Sequence, residues 1–457
     1  MPDALVRSLR DRISGPVVAP SDADWDAART GFNVALDQRP AAVAYPESVA
    51  DVAALVQVAG EHGAQVAPQG TGHGAGPLGP LEGAILVRTE RLTGVEIDPQ
   101  ARRARVRAGA RWADVTPLAD PHGLAALTGS SPTVRVAGYT LGGGIGWLAR
   151  KYGIACNSVR SVEIVTADGD VRTVDNARDP DLFWALRGGG GNFGLVTGLE
   201  FDLHPVSEVY AGTLFWPFER AGEILHAWSE WTGSLPDEVT SNGRLIQFPP
   251  IPDVPEHLRG RAFVVVHAVF LTGAGEGSAL LAPLRALGPE MDTFATIPPS
   301  ALGMLNMDPP EPVPYAGNGG VLSAFAGDAV DALTAAAGPG SGSPLVSLEV
   351  RHVGGAVATA PPGAGALAAI DAPFLWFAVG IAPAPQALEA VERHLDRVAT
   401  ALTPWDAGRG YWNFAERKVD PASLVGSDAY RRLQEVRRRV DPDGRFLANH
   451  VVEATGG

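Results

Sequence analysis

The stretch Val66-Ala67-Pro68-Gln69-Gly70-Thr71-Gly72-His73-Gly74-Ala75 places three glycines within five residues, directly after a predicted strand at 65–68. Glycine in such positions indicates a positive φ angle or a backbone that another group approaches closely. Successive exposed backbone N–H groups in a turn of this kind form a concave site for an anion such as pyrophosphate. An ordinary turn with a histidine on the surface explains the same residues, so the remainder of the chain must decide.

Length and composition limit the alternatives. The chain has 457 residues, which is more than one hydrophobic core supports, so two or more domains are expected. Hydrophobic residues make up 46% of the chain and charged residues 19%, with a formal net charge of −15. This acidity argues against a nucleic-acid backbone or an anionic membrane surface as a partner. An anionic cofactor would therefore be held by local N–H groups.

The sequence also indicates a compartment. Its single cysteine, Cys156, excludes an intrachain disulfide and a cysteine-based metal site. Residues 1–12 are charged and lack an apolar run of signal-peptide length. No stretch approaches the roughly 18 apolar residues of a membrane span. We therefore expect a cytoplasmic protein without nucleic-acid or membrane partners and without a bound metal.

Residues 1–205 alternate between short helical and strand patterns. After a predicted strand at 41–45, Ser48 is a suitable N-cap for an amphipathic helix that ends at Gly63. Further strands are predicted at 84–88, 93–98 and 103–108, followed by a helix at 112–122. This order predicts a small α+β unit that contains the glycine-rich turn.

Two more glycine clusters follow. One begins at 129–132 and continues from Gly138 to Gly146; the other, at 188–194, matches the G-x-G-x-x-G spacing of dinucleotide-binding proteins. That fingerprint requires a strand before it and a helix after it. Here a helix is predicted before it, at 179–187, and a strand after it, at 195–203. We therefore reject a Rossmann-type site at this position.

Beyond Val206 the apolar runs become longer and no glycine-rich turn recurs. Strands are predicted at 209–216, 262–270, 345–350 and 375–381, and helices at 221–231, 278–287, 329–337 and 386–402. Long strands with helices between them indicate one broad sheet that is covered on one face. This organisation is typical of a second domain that covers a substrate. A last helix, at 429–440, belongs to a tail that is expected to pack on the first domain.

Several motifs occur together in order along the chain. They are residues 69–73, 131–134, 138–146, 150–155, 183–194 and 441–446 and the segment Tyr411-x-Asn413-Phe414. Each alone is weak, but together they resemble the berberine bridge enzyme-like FAD-linked oxidases. These enzymes belong to the vanillyl-alcohol oxidase and p-cresol methylhydroxylase (VAO/PCMH) flavoprotein superfamily. The resemblance extends over essentially the whole chain.

The resemblance implies an α+β protein with the two-domain FAD-binding fold of the PCMH/VAO type. Residues 1–205 are expected to form the FAD-binding domain, with subdomains at about 1–125 and 126–205. Residues 206–407 are expected to form the substrate-binding domain, an antiparallel sheet covered by helices. Residues 408–457 are expected to return to the FAD-binding domain.

The resemblance also implies which residues bind the cofactor. The turn at 69–74 corresponds to the loop that wraps the FAD pyrophosphate, and His73 to the residue bonded covalently to the 8α-methyl group of the flavin. The implied cofactor-binding residues are Gln69, Gly70, Thr71, Gly72, His73, Gly74, Ser131, Val134, Gly138, Gly142, Gly143, Gly146, Ile154, Val196 and Asn413.

Departures from the family pattern refine this expectation. Relatives usually carry Arg in place of Gln69, so one positive charge near the phosphates is missing here, although the backbone donors remain. Many relatives attach the flavin a second time through a cysteine that precedes Pro-x-Val, where this chain has Ser131. Cys156 lies later in the chain, and we interpret it as a small buried residue. We therefore predict one histidyl bond, through His73, and no cysteinyl bond.

The catalytic residues are less well defined. Val134 matches a position whose small side chain is associated with oxygen access to the flavin, which favours an oxidase. In this family the substrate proton goes to a tyrosinate or a carboxylate. Tyr411 is our candidate for a phenol on the substrate side, and a packed aromatic with a hydrogen-bonded hydroxyl is the alternative. Tyr139 either faces the flavin or packs, and Phe414 stands where relatives often have a second tyrosine.

No glutamate stands where the plant enzymes place their catalytic one, in the region that follows His352-Val353-Gly354-Gly355. Asp371 is the nearest acid there, and an exposed turn residue is the simpler interpretation; for His352 a structural role is favoured over a catalytic one. The identity of the catalytic base therefore remains open.

Two functions remain open. The first is an FAD-dependent oxidase, which takes a hydride from an alcohol, an amine or a specialised-metabolite intermediate and passes the electrons to O2 to give H2O2. The second is a flavoprotein of the same fold that catalyses a cyclisation or isomerisation without net oxidation. A ligand-binding protein without catalysis is a third, minor reading. The expected partners are a small organic substrate and O2, and the expected assembly is a monomer or a homodimer.

Overall fold

The computed structural model describes residues 2–454 of the chain. The helices are α1 (Pro2–Arg12), α2 (Trp25–Arg29), α3 (Val49–His62), α4 (Trp112–Ala119), α5 (Val136–Leu141), α6 (Ala149–Tyr152), α7 (Pro180–Leu186), α8 (Ala221–Thr232), α9 (Ala274–Arg285), α10 (Asp328–Ala337), α11 (Pro385–Leu402), α12 (Ala422–Val425) and α13 (Ser427–Val440). Within the described residues, no helix combines the length and the apolar character needed to cross a membrane.

The strands fall into separate sheets. They are β1 (Val17–Val18), β2 (Ala42–Ala44), β3 (Val66–Gln69), β4 (Ile85–Arg88), β5 (Val95–Asp98), β6 (Arg103–Arg107), β7 (Leu124–Ala125), β8 (Val159–Val165), β9 (Val171–Val174), β10 (Leu195–Asp202), β11 (His204–Pro205), β12 (Val209–Pro217), β13 (Val239–Gln247), β14 (Ala262–Phe270), β15 (Met291–Asp292), β16 (Ala295–Ile297), β17 (Tyr315–Leu322), β18 (Ser347–His352) and β19 (Phe374–Ile381).

The glycine-rich turn follows β3, at one edge of a sheet of order β1-β2-β4-β3. Helix α3 connects β2 to β3; it begins at Ser48, whose hydroxyl caps the first turn, and ends at Gly63 with φ 64°. Both predicted ends of this helix are therefore confirmed. The C-terminal segment pairs with β3, because Val66 N donates to Arg445 O and Leu447 N donates to Val66 O, each at 2.8 Å.

A second sheet, of order β5-β6-β10-β8-β9, is antiparallel throughout. The glycine-rich segment 188–194 connects α7 to β10. A helix therefore precedes this segment and a strand follows it, which is the reverse of the dinucleotide fingerprint. The rejection of a Rossmann-type site at this position is confirmed.

The largest sheet has the order β15-β12-β14-β13-β18-β19-β17, with β16 beside β12, and its pairs are antiparallel. Because side chains alternate along a strand, this sheet has two different faces. The outer face packs its apolar residues against helices α8, α10 and α11. The inner face is turned toward the first part of the chain. The predicted fold class, α+β with an antiparallel sheet covered by helices, is confirmed.

Two long strands of this sheet, β13 in its middle and β17 at its edge, were not predicted. β13 contains Gly243, and β17 contains Gly317, Gly319 and Gly320, and glycine weakens the strand pattern. A Cβ at Gly243 would lie 2.8 Å from Trp228 Cε3, so the absence of a side chain leaves room for a tryptophan. Packing between elements, which the sequence does not display, therefore explains these glycines. The predicted domain boundaries stay a prediction.

Candidate functional site

The turn after β3 leaves a row of backbone donors free. The described part of the chain offers no hydrogen-bond acceptor to the backbone N–H groups of residues 71–74. Gly72 has φ 91°, and a Cβ there would lie 3.2 Å from Gly31 Cα. Only glycine suits both this conformation and this space. Consecutive free N–H groups in such a turn attract an anion.

Positive charge next to this turn comes from an arginine that we did not assign from the sequence. The Arg135 side chain lies over Gly70, where a Cβ would come within 2.8 Å of its Cδ, and its buried Nε has no partner among the described residues. Gln69 is buried and occupied elsewhere: its Nε2 donates to Gln38 Oε1 at 3.1 Å, and its oxygen accepts from Arg88. Arg135 thus places a cation beside the turn that Gln69 does not provide.

His73 stands in this turn with its ring free of protein partners. Its Nε2 is buried and has no partner among residues 2–454, and the ring packs on Phe32 with 4.0 Å between centroids. Burial lowers the pKa of His73 to about 4, so the imidazole is neutral at physiological pH. Tyr315 of β17 donates its hydroxyl to His73 O at 3.0 Å, which connects the turn to the largest sheet.

The second glycine cluster lies against the same turn. Thr71 Oγ1 donates to Thr133 O at 3.2 Å, and Ser131 Oγ lies 3.1 Å from Thr133 Oγ1. Val134, next in the chain, is partly buried. Two of the predicted cofactor-binding segments, 69–74 and 131–134, therefore meet in space.

Cys156 is remote from any attachment role. Its side chain is completely buried, and Sγ lies 3.7 Å from Leu367 O. Burial raises the pKa of the thiol to about 12, so it stays protonated. The interpretation of Cys156 as a small buried residue is confirmed.

The structure brings Tyr139, Tyr411 and Asn413 together. Asn413 Nδ2 donates to Tyr139 O at 3.0 Å and to the Tyr411 hydroxyl at 3.1 Å, and its Oδ1 fills the space that a Cβ at Gly142 would need. Tyr411 is only 2% exposed, and burial raises the pKa of both phenols. Tyr139 packs edge-on against Trp112. These contacts favour the packing alternative for Tyr411, whereas the buried Tyr139 hydroxyl has no partner among the described residues. Both alternatives for Tyr139 therefore stay open, and a substrate-side role for Tyr411 stays a prediction.

The remaining predicted cofactor-binding residues differ in their exposure to solvent. Gly138 is exposed, with open space where a side chain would point. Gly143 has φ 108° and is buried, and a Cβ at the partly exposed Gly146 would meet backbone. Ile154 and Val196 are buried in the main core. Gly138 is thus open to a ligand, whereas the other four pack around the site.

The inner face of the largest sheet carries a polar row across four strands. Thr213 on β12 faces His267 on β14, which faces Asn242 on β13, which faces Arg351 on β18. Thr213 Oγ1 lies 2.8 Å from His267 Nδ1, and burial lowers the pKa of His267 well below its usual value. In the next row, Arg244 on β13 faces Glu349 on β18. Polar residues on a buried face must either pair with each other or serve a ligand.

Glu349 is a buried carboxylate that we did not predict. Arg351 Nε donates to its Oε1 at 2.7 Å, whereas its Oε2 has only a long contact, 3.5 Å, with Asn242 Nδ2. Arg351 also donates to Ser130 Oγ at 3.2 Å, and its guanidinium lies 4.9 Å from the centre of the Phe414 ring. The ion pair therefore reaches from the sheet to the second glycine cluster.

A signal for Glu349 was present in the sequence. Ser347 and Glu349 alternate with apolar residues in the predicted strand at 345–350, and Arg351 continues the alternation, so that the three share one face. The resemblance directed attention to the region after His352, and Glu349 lies before it. Asp371, the acid found there, is exposed, as predicted.

A small cavity separates the polar row from the first part of the chain. Its lining includes Ser130, Trp147, Asn242 and Arg351. Trp147 Nε1, His267 Nε2 and Asn306 Oδ1 are buried in this region without partners among the described residues. Because buried polar atoms are nearly always hydrogen-bonded, these free atoms indicate a place for polar groups of a ligand.

The residues present fit an FAD molecule. The four free N–H groups at 71–74 and the Arg135 side chain suit a pyrophosphate. The unpartnered, neutral ring of His73 lies in the same turn, with a nitrogen available for a bond. The polar inner face belongs to the same sheet as Tyr315, which bonds to His73 O, and it leaves a separate place for a substrate.

Comparison with known proteins agrees with this assignment. The FAD binding domain family matches residues 40–175. (R)-6-hydroxynicotine oxidase of Paenarthrobacter nicotinovorans is 28% identical over 460 residues, covering 97% of this chain and 98% of that protein. Glucooligosaccharide oxidase of Sarocladium strictum is 33% identical over 223 residues, covering 47% of this chain and 44% of that protein.

Solved structures show the same fold. Physcomitrella patens BBE-like 1 superimposes with a TM-score of 0.85 over 99% of this chain and 100% of that chain, at 21% identity. 6-hydroxy-D-nicotine oxidase of Arthrobacter nicotinovorans superimposes with a TM-score of 0.82 over 95% of this chain and 96% of that chain, at 26% identity. The chain therefore contains an FAD binding domain, is similar over its full length to an FAD-linked oxidase, and has the fold of the berberine bridge enzyme-like flavoproteins.

Proposed function

We propose that this protein oxidises a small or medium organic substrate, an alcohol, an amine or a specialised-metabolite intermediate, at the inner face of its largest sheet. FAD, when bound, accepts a hydride from the substrate and delivers two electrons to O2, which gives H2O2. One observation carries the proposal: the turn at 71–74, with free N–H groups, and the polar sheet face are joined by the Tyr315–His73 hydrogen bond. The full-length similarity to (R)-6-hydroxynicotine oxidase supports the same reaction class.

We further propose that His73 holds the flavin covalently and alone. Its ring is neutral, buried at Nε2 and free of partners within the described residues, so a lone pair is available for a bond to carbon. Ser131 has no thiol, and the only cysteine of the sequence, Cys156, is buried with a protonated thiol. A second attachment through sulfur therefore has no candidate in this chain.

Glu349 is the proton acceptor in this proposal. A substrate that loses a hydride from carbon also loses a proton from oxygen or nitrogen, and a buried carboxylate can take it. The Oε1 atom of Glu349 is occupied by Arg351, whereas Oε2 has only the long contact with Asn242. Phe414, where relatives often have a second tyrosine, offers no phenol, and the Tyr411 hydroxyl is buried against Asn413. A carboxylate is thus better placed than a tyrosinate.

The cofactor part of the proposal is tested on purified protein. Precipitation with acid followed by mass spectrometry should leave FAD on the wild-type chain, on the peptide that contains His73. The variant His73→Ala should release all of its flavin. Flavin released quantitatively from the wild type would contradict the covalent bond but not the assignment of FAD.

The reaction is tested by a screen of alcohols, amines and oligosaccharides for H2O2 release. A true substrate should bleach the yellow enzyme without air, and admitting air should restore the colour with one H2O2 per turnover. Product formed without bleaching and without O2 uptake would contradict the oxidase and favour the cyclisation or isomerisation alternative.

A further inference from the structure

Glu416 occupies a space between the His73 turn and β17 that two glycines keep open. A Cβ at Gly76, three residues after His73, would lie 2.6 Å from Glu416 O and 3.8 Å from its Oε2. A Cβ at Gly317 of β17 would lie 3.3 Å from Glu416 Cγ. Side chains at either glycine would displace this residue. The fold therefore accommodates a carboxyl group in the wall that carries His73.

The Glu416 carboxyl group has no partner there. No described residue forms a hydrogen bond or an ion pair with it, and burial raises its pKa to about 8. Its neighbours in the chain are directed elsewhere, because Arg417 pairs with Asp396 and Lys418 is exposed. Glu416 is partly exposed, so its carboxyl group is enclosed by protein but can still be reached from outside. An unpartnered acid with a raised pKa in such a place is a candidate for a reaction that uses it.

The titratable groups around Glu416 come from three elements. Tyr315 of β17 feels the negative charge of Glu416, which adds to burial in raising the pKa of that phenol. The same Tyr315 donates to His73 O at 3.0 Å. From the C-terminal segment, His450 lies with Nε2 3.1 Å from Ala415 O, the residue before Glu416, and burial lowers its pKa. Within the described residues, no cation faces the carboxyl group.

We propose that Glu416 is the proton acceptor that allows His73 to become bonded to the flavin. This inference rests on the covalent attachment proposed above. In that reaction a bond forms between a His73 ring nitrogen and the 8α carbon, while one C–H bond of the methyl group and the ring N–H bond break. Two electrons enter the isoalloxazine ring, and O2 then takes them with two protons. His–H, FAD and O2 thus give His–FAD and H2O2.

The role of the carboxyl group follows from the state of His73. Because the imidazole is neutral, it attacks through its lone pair and must then release the proton of its other nitrogen. Glu416 can take that proton, because it lies in the same wall, between Gly76 and Gly317, and has no hydrogen-bond partner among the described residues. Glu416 acts on His73 during maturation, and turnover of the finished enzyme does not require it.

The ionisation of Glu416 determines whether the rate of flavin attachment rises or falls with pH. Only the ionised carboxylate accepts a proton, and its pKa of about 8 means that this form grows as the pH rises through 8. His73, with a pKa of about 4, stays neutral over the same interval. Attachment should therefore accelerate from pH 6 to pH 9 and reach a plateau above it.

The test uses full-length protein from riboflavin-limited cells, mixed with FAD and followed by acid quenching and intact-mass analysis. Wild-type protein should bind FAD and attach it at a rate that rises with pH. Glu416→Gln should bind FAD, seen as quenched flavin fluorescence, but attach it at least 100-fold more slowly and without the pH dependence. Glu416→Asp should recover part of the rate.

Glu389→Gln is the matched control, since Glu389 is 72% exposed on α11. It should attach FAD at the wild-type rate. Attachment by Glu416→Gln at the wild-type rate would overturn the inference alone, and wild-type protein without covalent FAD would overturn the proposed attachment as well. If Glu416→Gln does not fold, the wild-type profile decides, because a rate that is flat between pH 6 and pH 9 contradicts the inference.

Discussion

The two faces of the largest sheet are made by the same strands, but they differ in whether buried ring nitrogens beside them have hydrogen-bond partners. On the outer face the indole N–H groups of Trp216, Trp228 and Trp231 donate to Leu287 O, Ser241 Oγ and Leu280 O at 3.2, 3.0 and 2.7 Å. At the inner face, Trp147 Nε1 and His267 Nε2 are buried without partners among the described residues.

This difference distinguishes residues that stabilise the fold from residues that are available to a ligand. A buried polar atom that has its partner contributes to stability, and its removal leaves the partner unsatisfied. A buried polar atom without a partner costs free energy in the protein alone, and isolated cases occur on the outer helices, at Thr334 Oγ1 and His394 Nε2. Several such atoms beside one cavity, as at the inner face, indicate a place for a ligand. We therefore expect substitutions on the outer face to change stability, and substitutions on the inner face to change turnover.

The largest effect is expected at the inner face, for Glu349→Gln. Glutamine keeps the shape and an acceptor for Arg351, but it cannot take the substrate proton. The rate of anaerobic flavin reduction should fall by roughly 10²–10⁴-fold. Stopped-flow absorbance, normalised to bound FAD, measures it.

The same variant carries its own control. Covalent flavin content and cofactor absorbance should match those of the wild type, since Glu349 lies in the sheet and not in the His73 turn. Flavin reduction at the wild-type rate would remove Glu349 as the base and would return attention to Tyr411.

Next in size is the outer-face substitution Trp228→Ala. The ring packs 5.9 Å from both Phe325 and Phe374, and its indole bond to Ser241 would be lost. Removing a buried tryptophan costs about 3–5 kcal/mol in the free energy of unfolding. Denaturant unfolding measures the loss, while turnover per folded, flavin-loaded molecule should stay the same. A large loss of turnover with little loss of stability would contradict the separation of the two faces.

The sequence predicted the outer face far better than the inner face. Helices α8, α10 and α11 have a helical spacing of apolar residues, so their existence followed from the pattern alone. β13 was missed because Gly243 interrupts it, and the reason for that glycine, Trp228, lies on a different element. A pattern along one segment cannot show what another segment needs.

The sequence predicted the site only where the function depends on the backbone conformation of one short segment. The turn at 70–74 was found because closely spaced glycines have a direct conformational meaning. Arg135 and Glu349 were missed, since their roles depend on which residues lie beside them after folding: Gly70 for one, Arg351 for the other. Strand register, which sets the row of His267, Asn242 and Arg351, is not visible in a single segment.

A smaller effect is expected for Gly243→Ala on the outer face. The added Cβ would lie 2.8 Å from Trp228 Cε3 and 2.9 Å from Leu225 Cδ2, so both side chains must shift. Overpacking of this size costs about 1–3 kcal/mol. Gly222→Ala, in α8, is the control, because its Cβ would approach only Thr334 Cγ2, at 3.9 Å. Equal unfolding midpoints for the two variants would show that the outer face tolerates extra volume.

The smallest expected effect concerns His267, on the inner face, and depends on pH. His267 is buried with a pKa well below its usual value, so the folded protein keeps it neutral, whereas the unfolded chain protonates it near pH 6.5. Its contribution to stability is therefore present above pH 6.5 and is lost as the pH falls. The loss grows as the pH falls from 6.5 toward 5. His267→Gln should lose correspondingly less stability than the wild type between pH 7 and pH 5, measured by denaturant unfolding, whereas His62→Gln on the exposed end of α3 should follow the wild type. If His267→Gln kept the full acid sensitivity, the sensitivity of the wild type would come from other groups, and His267 would not be held neutral by burial at the inner face.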